Sequence, residues 1–323
     1  MALKKTIVSL GITLCCILSN ASHAQTTTQD QPEVTKETSS NQEIDPQTSK
    51  KVKTKKPSEH FMRIRKNHRG KLIALETSIT RYELKNQAGE TVVVDLIGAV
   101  HIGEKAYFQE LNERFEQYDS MLYELVAPEG TVIPKGGRES GGVPTNPLAA
   151  MQVAMQETLG LEFQLEQIDY NKGNFKHADM SPEEFAESMA NNDESVMKYG
   201  LKAIGQGMAM QASGKSASSI DMLMSVFASN KQMHMRRTFA KQIQQVETGS
   251  VIFQGKDGST IVTHRNAKCM EVLQEEIDSG KTNLAIFYGA AHLPDMEQRM
   301  FNDFKAKRAG QIWLEAWRLT DKK

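Results

Sequence analysis

Two stretches of the chain are apolar almost without interruption: "TVVVDLIGAV" at 91–100 and "NLAIFYGAA" at 283–291. Runs of this length, rich in β-branched and aromatic residues, predict strands buried on both faces. Upstream of the first, "LIALETSITRYEL" has strand character, and the turn "NQAGE" joins the two as a hairpin, so the sheet is mixed. Downstream, Tyr107, Phe108, Leu111, Phe115 and Tyr118 recur on one helical face. "SMLYELV" then reads as a short strand, and strand, helix, strand predicts a parallel crossover. After the second apolar run, "LPDMEQRMFNDFKAKRAG" sets Met296, Met300, Phe301 and Phe304 on one helical face, and "QIWLEAWRLT" closes the sheet.

Between these units the pattern changes. "APEGTVIPKGGRESGGVPTNP" is a long irregular loop, either a lid or a mobile insert. Residues 148–248 read as helical throughout. Within them "SPEE" at 181–184 is a helix start, with Ser181 as cap, Pro182 in the first turn and Glu184 completing a capping box. The region is rich in methionine, from Met151 to Met235. At helical spacing this is adaptable core, with a soft apolar groove as the sharper alternative. "VIFQGKDGSTIVTH" reads as a loop and a short extended piece before a helix from about Asn266. The expected fold is α/β (α+β): a central mixed, largely parallel sheet built from two pseudo-repeated β-α-β halves, with the helical region inserted.

The first 24 residues stand apart. A basic start, "MALKK", an apolar stretch of about 13 residues and small residues at Ser22 and Ala24 predict a cleaved secretory signal. The stretch is short for a membrane span, which needs roughly 20 residues. An uncleaved anchor and a lipoprotein at Cys15 or Cys16 are the alternatives. Residues 25–58 are polar and nearly free of large apolar side chains, so they read as a disordered linker, leaving 59–323 as the folded domain. Export to the periplasm or beyond follows as an expectation, with no membrane span after cleavage. Cys269 is then the one cysteine left, which excludes an intramolecular disulfide. A net charge of -1 gives no basic bias and points away from nucleic acid.

Candidate chemistry lies where the two apolar runs end. Each closes on Gly-x-x-His: Gly98 with His101, and Gly289 with His292. Each is followed by a helix and then a strand carrying a glutamate, Glu124 or Glu315, 23 positions beyond its histidine. The crevice beyond the carboxyl ends of parallel strands is the usual ligand site. The glycines allow a tight turn or close approach there. Two histidines and a carboxylate form a common ligand set for a divalent transition metal such as Zn, Mn or Co, which makes a nucleophile of bound water. The bland reading is an ordinary polar residue at each strand end. No His-Glu-x-x-His, phosphate loop or Gly-x-Ser-x-Gly elbow is present.

The paired "GAVH" and "GAAH", the "YELV" strand and "HRNAKCMEVLQEEI" resemble the TraB/PrgY/GumN/Tiki family, over about residues 70–319, and the second block is most similar to its GumN-type bacterial branch. The resemblance implies a fold shared with erythromycin esterase-like and ChaN-like proteins and metal-dependent peptidase activity. It implies His101 and His292 as ligands, Glu124 as ligand or general base, and the Arg265–Asn266 pair at the site. Arg265 would bind a substrate carboxylate or an oxyanion, with an ion pair to Glu124 as the plainer alternative. Asn266 would bind substrate or, more simply, cap the following helix. The family often has an acidic residue where this chain has His264, which would alter the site's charge or add a ligand. Glu315 rests on the internal repeat alone. The reading is an exported metal-dependent hydrolase acting on a peptide or small-molecule substrate. The ChaN-like relationship makes a non-catalytic haem- or metal-binding protein the rival, and a scaffold with structural histidines the third reading.

Overall fold

The structure is a computed structural model that describes residues 61–133, 156–195, 198, 230–248 and 259–321. The signal segment, the polar linker, most of the Gly- and Pro-rich loop and most of the methionines of the insert lie outside the described residues.

The strands are β1 (Met62–Lys66), β2 (Leu72–Lys85), β3 (Thr91–Ala99), β4 (Ile102–Gly103), β5 (Ser120–Tyr123), β6 (Glu162–Phe163), β7 (Phe175–His177), β8 (Asn283–Gly289) and β9 (Lys307–Arg318). All but β4 and β6 form one seven-stranded sheet. Strand β2 is long enough to pair twice along one edge. Its Thr77 faces Met62 of β1 on one side and Leu314 of β9 on the other, while Ile79 faces Ile97 of β3 and Ile312 of β9. Strands β1 and β3 therefore share one edge of β2, and β9 takes the opposite edge. From β3 the sheet continues in parallel through β8, β5 and β7. Within this sheet β2 alone runs against the rest, so the sheet is mixed and largely parallel, as the sequence predicts.

Both faces of the sheet are covered, which explains why the apolar runs are continuous. In β3, Ile97 and Ala99 face one core with Tyr107, Phe108, Leu111 and Phe115 of helix α1 (Lys105–Phe115). Val92, Val94 and Leu96 face the other core with Cys269, Leu273 and Ile277 of a second helix, Arg265–Asp278, and Met296 and Met300 of a third, Leu293–Asn302. Burying one such side chain stabilises by about 1.5–3 kcal/mol. A one-residue slip of β3 would exchange the two sets of partners.

The two β-α-β units are not equivalent in topology. Strand β5 returns beside β8, which separates it from its parent β3. Strand β9 instead joins β2 and is separated from its own parent β8 by β2 and β3. The last helix also stops at Asn302; Lys305 takes a left-handed turn at φ 54° and β9 begins at Lys307.

The insert is not helical throughout. Its described part holds a helical turn, α2 (Gln164–Gln167), and helices α3 (Pro182–Asn191) and α4 (Lys231–Thr248), but also β6 and β7. Strand β6 pairs with β4, and β7 extends the main sheet beside β5. These strands have two and three residues, too few for a period to register in the sequence. The start of α3 matches expectation: Ser181 Oγ accepts from the Glu184 N–H at 3.1 Å, Glu184 Oε2 accepts from the Ser181 N–H at 2.7 Å, and Pro182 follows the cap. Met189 and Met233 are buried. "TIVTH" is a π-helical turn, Thr260–His264, rather than extended, closed by Ser259 Oγ accepting from the Val262 N–H. It runs directly into α5 (Arg265–Asp278), and α6 (Leu293–Asn302) follows β8. Among the described residues no helix is long and apolar enough to cross a membrane.

Candidate functional site

Four parallel strands, β3, β8, β5 and β7, end side by side, and the residues just beyond them are His101, His292, Glu124 and Asp179. Three of these are candidates from the sequence. Asp179 is not, because β7 lies in the segment read as helix.

Glu124 is 5 % exposed. Its Oε2 accepts from the Gly289 N–H at 2.7 Å, and its Oε1 accepts from Arg265 Nη2 at 2.8 Å. Gly289 is closely approached: a Cβ there would lie 3.3 Å from Oε2, so the carboxylate would have to give way by a few tenths of an ångström. Gly98 is under less pressure, since its added Cβ would meet Leu293 and the Phe61 carbonyl at 3.4 Å. Burial alone would raise the Glu124 pKa, but Arg265, the two histidines and the Gly289 N–H outweigh it and hold the carboxyl down at about 2. A carboxylate this acidic is a poor proton acceptor at neutral pH. It is well suited to holding a cation.

Arg265 opens α5 and is 2 % exposed. Its Nε and Nη2 grip Asp179 at 2.9 and 2.5 Å, and Nη2 also reaches Glu124. The ion-pair alternative for Arg265 is thus what the geometry contains, and a second carboxylate, Asp179, shares the same guanidinium. Nη1 points to the Ile261 carbonyl at 3.5 Å, so the donors of the fork face protein acceptors rather than a substrate carboxylate. Two buried carboxylates against one guanidinium leave this cluster short of positive charge, and buried charge is costly unless compensated.

Asn266 does not cap α5; the cap position is His264, which makes no capping hydrogen bond. The amide instead organises His292. Asn266 Nδ2 donates to the His292 carbonyl at 3.0 Å and to Asp295 Oδ2 at 2.8 Å. Both partners accept only, so that end of the amide must be the nitrogen. Oδ1 then lies 2.7 Å from His292 Nδ1 and must accept from it. Nδ1 therefore carries the proton. Burial, the largest influence, lowers the His292 pKa to about 4 despite the pull of Glu124, so the ring is neutral at pH 7. Among the described residues Nε2 is left as a bare lone pair, 3.5 Å from Glu124 Oε1. Two acceptors face each other across a gap that a cation would bridge. The amide is fully used by these bonds, so it has no donor left for substrate.

His101 is half-buried and stands close enough to Glu124 and His292 to influence the ionisation of both, which places it in the same cluster. Among the described residues no three His, Cys, Asp or Glu side chains converge closely enough to hold a metal ion. His264 and Glu315 lie elsewhere. His264 Nδ1 meets Ser188 Oγ at 2.9 Å on α3, because the π-helical turn directs it toward that helix. Glu315 on β9 pairs with Arg65 at 2.8 Å, and β2, β3 and β8 separate it from the strand of Glu124. Its equal spacing to Glu124 is not matched in space because β9 joins a different edge. Cys269 forms part of the wall near Tyr288, and burial raises its thiol far above the range of a neutral-pH nucleophile.

No family model matches the chain, and neither a curated protein nor a solved structure does.

Proposed function

We propose that this protein is an exported metal-dependent hydrolase that cleaves peptide bonds. The observation that carries the reading is the bare Nε2 of His292 facing the ionised Glu124 at 3.5 Å. One nitrogen and one oxygen donor suit Zn, Mn or Co, and the excess of carboxylate over guanidinium favours a divalent cation. The donor set fits on these two residues, and His101, on the neighbouring strand end, is the third ligand the reading requires. A metal bound there supplies Lewis acidity and lowers the pKa of bound water.

The chain's own residues have separable tasks in this reading. Asn266 holds the His292 ring in the tautomer that presents Nε2, the outer-shell role common to ligating histidines. Arg265 and the Gly289 N–H keep Glu124 ionised and oriented. Asp179 aligns Arg265. The peptide as substrate and the export step rest on the family resemblance and on the pattern of residues 1–24.

Metal analysis of the purified full chain, beside the His101→Ala/His292→Ala double variant and after reloading with Zn, Mn or Co, tests the proposal. Near-stoichiometric metal that is lost in the variant, together with cleavage of a peptide library, is the expected result. No retained metal under any loading sinks it. Stoichiometric metal or haem without turnover would favour the binding-protein alternative.

A further inference from the structure

The Asn266 amide has a support that the tasks above leave unassigned. Asp295 stands in the first turn of α6, one helical turn past His292. Its Oδ2 accepts from Asn266 Nδ2 at 2.8 Å and from Arg299 Nε at 2.8 Å. Arg299 Nη2 donates onward to the Thr263 carbonyl of the π-helical turn at 3.0 Å. The relay Arg299–Asp295–Asn266–His292 thus ties α6 to the start of α5 beside the site.

An amide that shares a proton with a histidine has two states. In the observed one, Nδ2 faces the His292 carbonyl and Asp295, and Oδ1 accepts from His292 Nδ1. In the reversed one, Nδ2 would donate to Nδ1 and the ring proton would sit on Nε2. That proton would point at Glu124 Oε1 across 3.5 Å. Glu124 therefore favours the reversed state, in which a proton fills the gap between the two side chains. Two acceptors oppose it, because a reversed amide would turn Oδ1 on them: the His292 carbonyl at 3.0 Å and Asp295 Oδ2 at 2.8 Å. Of these Asp295 alone carries a charge, and a charge-assisted hydrogen bond is roughly twice as strong as a neutral one. Asn266 is fully buried, so water does not repair the mismatch.

A plainer role for Asp295 is local: an acidic side chain in a first helical turn, paired with Arg299 four positions on. Such a part-exposed pair contributes little to stability, and it does not require the bond to Asn266. We infer that Asp295 is a positioning residue: through Asn266 it holds His292 in the Nδ1–H tautomer and keeps the gap between Nε2 and Glu124 open to a ligand. The identity of that ligand as a metal rests on the reading proposed above; the tautomer does not.

The full chain is prepared with isotope-labelled histidine and without metal. Long-range proton–nitrogen NMR spectra are recorded for wild type, Asp295→Ala, Asp295→Asn and Arg299→Met, and the signal lost in His292→Gln assigns the ring. Wild type should show the Nδ1–H form. Asp295→Ala should move the tautomer ratio toward Nε2–H by about 10–100-fold, as loss of one charged hydrogen bond predicts. Asp295→Asn keeps the shape and an acceptor without the charge; it should fall between the two, and it decides the matter if the alanine variant does not fold. Arg299→Met breaks the salt bridge but leaves the bond from Asn266 to Asp295, so it should keep the wild-type ratio. A wild-type ring in the Nε2–H form, a wild-type ratio in both Asp295 variants, or an equal shift in Arg299→Met overturns the assignment. Calorimetric titration with Zn, Mn or Co is the second measurement. Kd should rise at least about tenfold in Asp295→Ala and stay within about fivefold of wild type in Arg299→Met. An unchanged Kd beside a shifted tautomer overturns the claim that Asp295 keeps the site open. If wild type binds none of these metals, the metal reading fails and the tautomer ratio alone decides Asp295.

Discussion

Asn266 Oδ1 lies 2.7 Å from His292 Nδ1, and this contact decides which nitrogen His292 turns toward Glu124. Three acceptors, the His292 carbonyl, Asp295 and the amide's own oxygen, leave one assignment of protons that satisfies them all. Asn266→Ala should therefore release the ring to a mixture of tautomers, visible in long-range proton–nitrogen NMR spectra of the histidine. Metal affinity or turnover should fall about 10–100-fold. A wild-type tautomer spectrum in the variant would contradict the assignment.

Arg265 holds two buried carboxylates, and its loss strands both. Arg265→Met should cost about 3–5 kcal/mol at pH 7, the usual penalty for breaking a buried pair from one side. Urea unfolding at neutral pH checks this. A cost under about 1 kcal/mol would mean that water reaches the carboxylates.

Acid should weaken the fold in two overlapping windows. The buried His292 ring takes up its proton only near pH 4, against an ordinary value of 6.5. The unfolded chain therefore binds more protons between these values, and stability falls as pH drops from about 6.5 to 4. Glu124 is depressed from 4.5 to about 2, so its contribution is present above 4.5 and is lost as pH falls toward 2. Each window is worth on the order of 3 kcal/mol. His292→Gln should flatten the upper window of a stability-versus-pH curve and leave most of the lower one. An unchanged slope between pH 6.5 and 5 would show that His292 is not buried neutral.

The two glycines of the repeated motif should respond differently. Gly289→Ala sets a methyl 3.3 Å from Glu124 Oε2, so it should displace the carboxylate and cost about 1–3 kcal/mol. Gly98→Ala meets its neighbours at 3.4 Å or more and should cost under about 1 kcal/mol. Paired thermal melts separate the two.

Much of this was legible along the chain because it is local. Continuous apolar runs report burial on both faces, which is how β3 and β8 are found. A 3.6-residue period reports one buried stripe, which marks α1 and α6. Ser181, Pro182 and Glu184 specify a helix start through bonds that span only three residues. Glycine-x-x-histidine at two strand ends, with Glu124 and Arg265, could be read as one group because residues past parallel strands share one edge.

What tertiary structure alone decided is which strand edge meets which. Periodicity says that β9 is a strand but not that it joins β2, and that pairing removes Glu315 from the site. Strand β7 is too short to carry a period; it exists because β5 offers it an open edge, and it brings Asp179 to Arg265. The role of Asn266 is likewise set by His292 and Asp295, 26 and 29 positions away. Burial and local hydrogen bonding are properties of each segment's own side chains, so the sequence determines them directly. Partner choice depends on the relative free energies of many distant pairings, and only the folded chain resolves those.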